Sequence, residues 1–306
     1  MMIYSDKIKS ISLLAKDYGC RYYTDEPLSA HTTFRVGGKC DIMVCPNSAE
    51  SLAKLAKLAG ELELKYFILG NGSNVLFSDS GYRGVIISVG EDMSQVSVSG
   101  GTVTAGAGAL LSKACRAALE AGLSGMEFAW GIPGTVGGAV YMNAGAYGGE
   151  MKDIVSSVTC VDKDGNLKTY GGESLKFDYR RSRFTGSDEM IVGASFELTP
   201  GDPDEIRSKM DELMARRKSR QPLEYPSAGS TFKRPEGSYA GLVIENSGLK
   251  GCTVGGAQVS EKHANFIINR GGATASDILE LIKKVRREVK EKTGYSLECE
   301  IKIVEE

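Results

Sequence analysis

The chain has 306 residues, of which 42% are hydrophobic and 25% charged, and its formal net charge is −2. This length allows a full core and two or three domains, and the balanced charge argues against a nucleic-acid partner. The two histidines and seven cysteines include no CxxC pair, so no metal site is expected, and free thiols in a reducing cytoplasm are predicted. Neither an apolar run of about 18 residues nor a signal-peptide core occurs, so no membrane partner and no export are predicted.

The first 90 residues are predicted to alternate strands and helices. Ser48 is placed to cap a helix in which leucines recur at helical spacing. Short apolar segments predict strands before and after this helix, at 41–45, 66–69 and 85–89.

The middle of the chain is predicted to be richer in β-structure. Gly100-Gly101 separates two short alternating segments, which is typical of a β-hairpin, and a leucine-rich helix is expected over 110–120. Further strands are predicted at 158–162, 167–170 and 190–198.

The last part of the chain is predicted to begin at Pro200-Gly201-Asp202-Pro203. A helix over 204–217 follows. A second helix is predicted from a capping box of Thr274 and Asp277 to Gly294, and a final strand is predicted over 299–304. The elements together predict an α+β protein in three parts, with the limits 1–90, 91–200 and 201–306.

A glycine-rich run, Gly70-Asn71-Gly72-Ser73-Asn74, follows a predicted strand. The first three residues resemble a Rossmann turn, but Val75 stands in place of its third glycine and 77–81 would break a crossover helix. No GxxxxGK[ST] motif occurs. The run is interpreted either as a tight turn or as backbone N–H groups that wrap a diphosphate.

A second run is Gly131-Ile132-Pro133-Gly134-Thr135-Val136-Gly137-Gly138. Pro133-Gly134 favours a turn, and Gly137-Gly138 permits close approach of a ligand to the backbone. Two such runs, each near an asparagine, favour a ligand over two unrelated turns.

These runs resemble those of the UDP-N-acetylenolpyruvoylglucosamine reductases, which are FAD enzymes of the vanillyl-alcohol-oxidase-like (PCMH-type) flavin fold. The resemblance covers almost the whole chain and matches the family type that lacks an insertion in the third domain. The other motifs that carry it are His31-Thr32-Thr33-Phe34-Arg35-Val36-Gly37-Gly38, Asn143-Ala144-Gly145-Ala146-Tyr147-Gly148, Tyr179-Arg180-x-Ser182-x-Phe184, Ser227-Ala228-Gly229-Ser230-Thr231-Phe232-Lys233, Gly255-Gly256-Ala257-Gln258-Val259-Ser260 and Leu297-Glu298-Cys299-Glu300.

The resemblance implies noncovalent FAD and the cosubstrate NADPH in the reduction of UDP-N-acetylglucosamine enolpyruvate to UDP-N-acetylmuramate, a precursor of peptidoglycan. It implies hydride transfer from flavin N5 to the terminal enolpyruvyl carbon and protonation of the neighbouring carbon. Neither His31 nor His263 has a context that matches a covalent flavin link. The implied FAD-binding residues are Arg35, Gly70, Asn71, Gly72, Ser73, Asn74, Gly134, Thr135, Gly137, Gly138 and Asn143.

Three residues match catalytic positions of the family. Arg180 suits stabilisation of an enolate, because a guanidinium forks onto a carboxylate, although its spacing fits an ordinary salt bridge equally well. Ser230 matches the proton donor, whereas outside its motif it is simply a turn serine. Glu300 matches an acidic residue that either holds the carboxylate end of the substrate or relays protons.

The resemblance also implies substrate contacts in the second half of the chain. The run 216–220 is basic and is alternatively a solvated helix end that complements the helix dipole. The implied contacts are Tyr147, Arg217, Arg220, Lys233, Arg234 and Gln258.

Two other functions are weighed against the reductase. An FAD-dependent alcohol or hydroxy-acid oxidase of the same fold would share both glycine runs but lack the pair Ser230 and Glu300. A non-catalytic nucleotide-binding module would not need Arg180, Ser230 and Glu300 together. The predicted partners are small molecules, and the sequence does not determine the oligomeric state.

Overall fold

The computed structural model describes residues 3–305, which form two compact units. Unit 1 comprises residues up to Thr24, Asp41–Asn71 and Gly84–Arg216, and unit 2 comprises Asp25–Cys40, Gly72–Arg83 and the residues from Arg217 onward. Each unit has its own cluster of buried apolar side chains. The division into three parts stays a prediction.

Seven α-helices and eighteen strands lie in the described residues. The helices are α1 (Tyr4–Asp17), α2 (Ala49–Glu61), α3 (Leu111–Glu120), α4 (Val136–Met142), α5 (Pro203–Arg220), α6 (Ala240–Asn246) and α7 (Ala275–Thr293). The strands are β1 (Arg21–Pro27), β2 (Lys39–Cys45), β3 (Tyr66–Leu69), β4 (Val75–Phe77), β5 (Tyr82–Ser88), β6 (Val96–Ser99), β7 (Thr102–Gly106), β8 (Leu123–Ser124), β9 (Gly145–Ala146), β10 (Gly149–Glu150), β11 (Val155–Val161), β12 (Leu167–Gly171), β13 (Met190–Glu197), β14 (Thr199–Pro200), β15 (Thr253–Val254), β16 (Ala257–Val259), β17 (Ile267–Asn269) and β18 (Lys302–Val304).

Unit 1 is built around two sheets. A four-stranded sheet has the order β1-β2-β5-β3, and β3 pairs with β5 in parallel. A five-stranded antiparallel sheet has the order β12-β11-β13-β7-β6. Helices α2 and α3 each bury one apolar face, which includes Leu52 and Leu55 in α2 and Ala114 and Ala118 in α3. Ser48 caps α2 through its side chain, as predicted.

Unit 2 contains α7 and two small sheets. Strands β15, β16 and β17 form an antiparallel sheet, and β18 pairs with β4 in parallel. The capping box of Thr274 and Asp277 and the left-handed terminus at Gly294 confirm both predicted ends of α7.

Some elements differ from the predictions. The final strand is shorter than the predicted 299–304, because Cys299 instead forms an isolated antiparallel bridge with Phe232. Helix α4 begins inside the second glycine run, where glycine would normally disfavour a helix. Close packing explains the glycine, since a side chain at Gly137 would start 2.9 Å from Ala107 Cβ. Helix α1 was not predicted, and it buries only Ile11 and Ala15.

Asp79 supplies a cap to α7 from a distant part of the sequence. Its carboxylate accepts hydrogen bonds from the N–H groups of Ala275 and Ser276, at 2.7 and 2.8 Å, and from the Ser276 hydroxyl at 2.7 Å. Partial burial alone would raise the pKa of Asp79, but these hydrogen bonds hold its pKa below the ordinary value.

We predict that Asp79→Ala lowers the free energy of unfolding by about 1 kcal/mol, as loss of a helix cap does, and that Asp79→Asn lowers it less. Because the pKa is depressed in the folded state, the contribution is present above about pH 4 and is lost as the pH falls through the folded pKa. Denaturant unfolding of the three proteins at pH 7 and pH 3 measures both effects. An Asp79→Ala difference that is equal at the two pH values would contradict this account of the carboxylate.

Candidate active site

The two glycine runs come into contact within unit 1. A Cβ atom on Gly70 would lie 2.5 Å from Thr135 Oγ1, so any larger residue there would have to displace the Thr135 hydroxyl. Asn71 donates from Nδ2 to the carbonyl oxygen of Pro133 at 2.8 Å. The structure thus brings together two segments that are more than fifty residues apart in the sequence.

The second run is fixed by backbone hydrogen bonds. Leu111 N–H donates to the Gly134 carbonyl at 3.0 Å, and Gly137 N–H donates to the Ala107 carbonyl at 2.9 Å. Thr135 Oγ1 accepts from Gly138 N–H at 3.3 Å and so caps α4. Gly138 itself is exposed, as is Asn71, and neither run contains an acidic residue. The exposed surface at these runs therefore carries no carboxylate that would repel a diphosphate.

The rest of the first run belongs to unit 2. Gly72 has φ 59° and lies against the His31 carbonyl, and Thr33 N–H donates to the Gly72 carbonyl at 3.1 Å. Arg35, in the same N-terminal motif, is exposed and has φ 56°. Asn74 donates from Nδ2 to the Glu300 carbonyl at 3.2 Å, which ties the run to a predicted catalytic segment.

Ser230 and Glu300 lie on neighbouring backbone segments of unit 2. Glu300 N–H donates to the carbonyl oxygen of Thr231, the residue after Ser230, at 2.8 Å. Ser230 also forms an antiparallel bridge with Phe266. Both Ser230 and Glu300 are partly accessible, as groups that meet a substrate must be.

Asn265 holds the Ser230 segment in place and was not identified from the sequence. Its Oδ1 accepts from Phe232 N–H at 3.0 Å, and its Nδ2 donates to the Phe232 carbonyl at 2.9 Å. Its own carbonyl accepts from Thr231 N–H at 2.8 Å. Asn265 is buried between Ala264 and Phe266, and a lone amide in such an apolar run could have indicated a structural hydrogen bond.

Arg180 lies in unit 1 at a tight turn. The turn is closed by hydrogen bonds in both directions between Asp178 and Arg181, at 3.0 and 3.2 Å. Arg180 has φ 55°, a left-handed conformation that is uncommon for arginine, and its guanidinium carbon lies 5.0 Å from the centre of the Tyr179 ring.

Asn143, predicted to contact FAD, uses its side chain within unit 1. Nδ2 donates to Glu150 Oε2 at 3.0 Å and to the Asp178 carbonyl at 3.1 Å, and Oδ1 accepts from Lys152 N–H at 2.9 Å. A flavin contact of this residue stays a prediction.

Three of the predicted substrate contacts lie at the tip of a hairpin or at the end of helix α5. Tyr147 occupies the tip of the β9–β10 hairpin with φ 54°, and the guanidinium carbon of Arg216 lies 5.2 Å from its ring centre. Arg217 and Arg220 lie in the last turn of α5. Their predicted role in binding a diphosphate stays a prediction.

The remaining predicted contacts lie in unit 2. Lys233 pairs with Glu298 at 3.3 Å, and Arg234 stacks over Tyr239 at 3.8 Å. Gln258 donates to the Gly251 carbonyl at 3.1 Å and accepts from Arg270 at 3.0 Å. Arg270 is an exposed cation held by Gln258, and nothing in the sequence pattern singled it out.

The cysteine and histidine side chains have structural contacts. All seven cysteines are free, and burial raises the pKa of the Cys115 thiol to about 12. His31 contacts Glu26 at 2.8 Å, and burial lowers the pKa of His263, which packs on Phe266. Within residues 3–305, no group of three metal-ligating side chains could hold an ion, and no helix is long and apolar enough to cross a membrane.

Comparison with known proteins identifies the family. Residues 40–171 match the family model of an FAD binding domain, and residues 221–304 match that of the UDP-N-acetylenolpyruvoylglucosamine reductase C-terminal domain. The reductase of Clostridium perfringens (strain SM101 / Type A) is 49% identical over 280 residues, which cover 92% of each chain. The chain belongs to the UDP-N-acetylenolpyruvoylglucosamine reductase family.

Two further members support this assignment over nearly the whole length. The reductase of Caldanaerobacter subterraneus is 47% identical over 301 residues, 98% of each chain. The crystal structure of the Thermus caldophilus reductase superposes with a TM-score of 0.79 at 37% identity and covers 93% of this chain and 98% of its own. The predicted family, its FAD-binding domain and the α+β fold are confirmed. Ser230 and Glu300 both fall within the reductase C-terminal domain.

The contact between the glycine runs can be tested through flavin content. We predict that Gly70→Ala purifies with markedly less FAD per chain than the unmodified enzyme, because the added methyl group forces the runs apart at Thr135. Gly60→Ala in α2 is the matched control, since a Cβ there would meet nothing within 4 Å. The ratio of flavin to protein absorbance measures the effect. Full flavin content in Gly70→Ala would show that this contact does not shape the FAD site.

Proposed function

We propose that the chain reduces UDP-N-acetylglucosamine enolpyruvate to UDP-N-acetylmuramate with NADPH and noncovalent FAD, in the cytoplasm. The observation that carries the proposal is the pairing of the Ser230 and Glu300 segments inside the domain that matches the reductase C-terminal model. The reaction needs a proton donor at this place, because the enol ether takes a hydride at one carbon and must receive a proton at the adjacent carbon.

The glycine runs are the proposed FAD site. Gly70, Asn71, Gly134, Thr135, Gly137 and Gly138 are proposed to contact the diphosphate, and the resemblance to the family also assigns Arg35 and 72–74 to the flavin. When bound, FAD supplies the hydride that originates from NADPH.

Arg180 is proposed to bind the substrate carboxylate. As hydride reaches the terminal carbon, negative charge spreads from the neighbouring carbon onto the carboxylate, and a permanently charged fork of donors stabilises it. A lysine cannot replace this fork, since it is a point charge.

Ser230 is proposed to donate the proton to the neighbouring carbon. A serine hydroxyl is a weak acid, so it needs a fixed position and a way to regain its proton. Asn265 and Thr231 fix the backbone around it, and Glu300 lies on the adjacent segment. We propose that Glu300 relays protons to Ser230 or holds the carboxylate end of the substrate.

The cations of unit 2 are proposed to bind the substrate diphosphate. Arg217 and Arg220 place two positive charges in the last turn of α5, and a diphosphate would neutralise them. Lys233 and Arg234 directly follow the Ser230 segment. Gln258 is proposed to act on the substrate through Arg270, which it holds. Tyr147 is proposed to face the substrate.

An oxidase of the same flavin fold is the competing function. In an oxidase oxygen oxidises the reduced flavin, whereas in the reductase the enolpyruvyl nucleotide-sugar does. We predict that NADPH bleaches the visible flavin absorbance in the absence of oxygen, and that the enolpyruvyl nucleotide-sugar restores it. The flavin should leave with the supernatant after acid precipitation. Reoxidation by oxygen with turnover of a simple alcohol, and none by the nucleotide-sugar, would support the oxidase and contradict this proposal.

Ser230→Ala separates the two half reactions. The variant should bind FAD and be reduced by NADPH at an unchanged rate. Its reoxidation by substrate should slow by ~10² to 10⁴-fold, which is the usual contribution of a general acid. Ser230→Cys keeps a proton on a side chain of similar shape and should retain more activity than Ser230→Ala. Stopped-flow absorbance measures both steps. Equal slowing of flavin reduction and reoxidation in Ser230→Ala would make Ser230 a structural residue.

A further inference from the structure

The turn that carries Arg180 adopts a backbone conformation that its own sequence does not favour. Arg180 has φ 55°, and non-glycine residues keep such a conformation only where the surroundings impose it. The hydrogen bonds between Asp178 and Arg181 close the turn, but they do not attach it to the rest of unit 1. Other contacts must therefore hold it.

Two buried side chains attach the turn to the end of α4. Ser182 donates from Oγ to the Tyr141 carbonyl at 2.9 Å, and Asn143 donates from Nδ2 to the Asp178 carbonyl at 3.1 Å. Ser182 and Asn143 are 4% and 0% exposed, so neither hydrogen bond competes with water. The turn is thus fixed on both sides of Arg180.

Asn143 also connects this turn to Glu150. The same Nδ2 atom donates to Glu150 Oε2 at 3.0 Å, while Oδ1 accepts from Lys152 N–H at 2.9 Å. Lys152 Nζ lies 2.9 Å from Glu150 Oε2. All polar atoms of the Asn143 side chain are used, so the position of the Glu150 carboxylate is set relative to the backbone of the turn.

Glu150 carries a charge that the nearby cations stabilise. The hydrogen bond from Lys152 is the largest cause that holds the pKa of Glu150 below its ordinary value, and the hydrogen bond from Asn143 and the charge of Arg180 act in the same direction. The carboxylate is therefore ionised at neutral pH, and Asn143, which bonds both Glu150 and the Asp178 carbonyl, places it beside the turn that carries Arg180.

We propose that Asn143 and Glu150 are positioning residues for Arg180: Asn143 fixes its turn, and the Glu150 carboxylate directs its guanidinium. A guanidinium has five N–H donors on more than one edge, so a fixed carboxylate can orient it and leave another edge for the substrate carboxylate. This proposal rests on the proposed function. It predicts that Glu150 affects only the step in which the substrate gains charge.

The test compares half reactions in Glu150→Gln, which keeps the shape and a hydrogen-bond acceptor but removes the charge. We expect flavin content and the rate of reduction by NADPH within twofold of the unmodified enzyme, and reoxidation by the enolpyruvyl nucleotide-sugar about 10- to 100-fold slower, as for other residues that orient a ligand-binding side chain. Glu173→Gln is the control, because it removes one negative charge from an exposed site of unit 1. It should behave as the unmodified enzyme.

A double-mutant comparison shows whether Glu150 acts through Arg180. Glu150→Gln should have little further effect on single-turnover reoxidation when it is added to Arg180→Ala, because the group that it orients is gone. Asn143→Asp, which loses the donor to both Asp178 and Glu150, should slow reoxidation per bound flavin by at least as much as Glu150→Gln does. Unchanged reoxidation in Glu150→Gln, an equal loss in the Arg180→Ala background, or loss of flavin in both Glu150→Gln and Asn143→Asp would each overturn the proposal. Failure of the unmodified enzyme to be reoxidised by the nucleotide-sugar would instead contradict the proposed function.

Discussion

The candidate site depends on asparagine side chains that satisfy backbone groups where regular secondary structure stops. A buried peptide group without a partner costs about as much as a lost hydrogen bond, so irregular segments need such partners. The buried Asn143 bonds the Arg180 turn, and the buried Asn265 bonds the Ser230 segment on both its donor and acceptor sides. Asn71 joins the two glycine runs from an exposed position. Each amide replaces the ladder hydrogen bonds that a strand would supply, and each does so beside a predicted functional residue.

Backbone strain accompanies these amides. Among residues 3–305, seven residues other than glycine have positive φ, and four of them were predicted as site residues from motifs alone. Those four are Arg35, Asn143, Tyr147 and Arg180. Strained conformations persist only where surrounding contacts determine them, and they concentrate at functional sites. These left-handed conformations therefore support the site residues that the motifs predict.

The helix ends that the sequence predicts correctly are those that neighbouring residues determine. The ends of α7 follow from Thr274, Asp277 and Gly294, all of which act within one turn of the helix. The start of α2 at Ser48 has the same kind of cause. Motif matches further predicted that Ser230 and Glu300 belong to one site, and the structure places them on adjacent segments of unit 2.

What could not be predicted depends on contacts between distant residues. Helix α4 contains Gly137 because Ala107 packs against it, and the cap of α7 comes from Asp79, almost two hundred residues earlier in the chain. The parallel pairing of β4 with β18 likewise joins Val75 to Lys302. No periodicity or propensity in a single segment contains this information. The role of Asn265 escaped prediction for the same reason, since its partners lie more than thirty residues away.

The central claim is that the chain delivers a hydride and a separate proton to adjacent carbons of one substrate. The most direct test is to run the reaction in D2O with unlabelled NADPH and to locate deuterium in the product by NMR. Because the Ser230 hydroxyl exchanges with solvent, the account predicts deuterium at the carbon bonded to the ether oxygen. A reduced product with no deuterium at that carbon, or no reduction of the nucleotide-sugar at all, would contradict it.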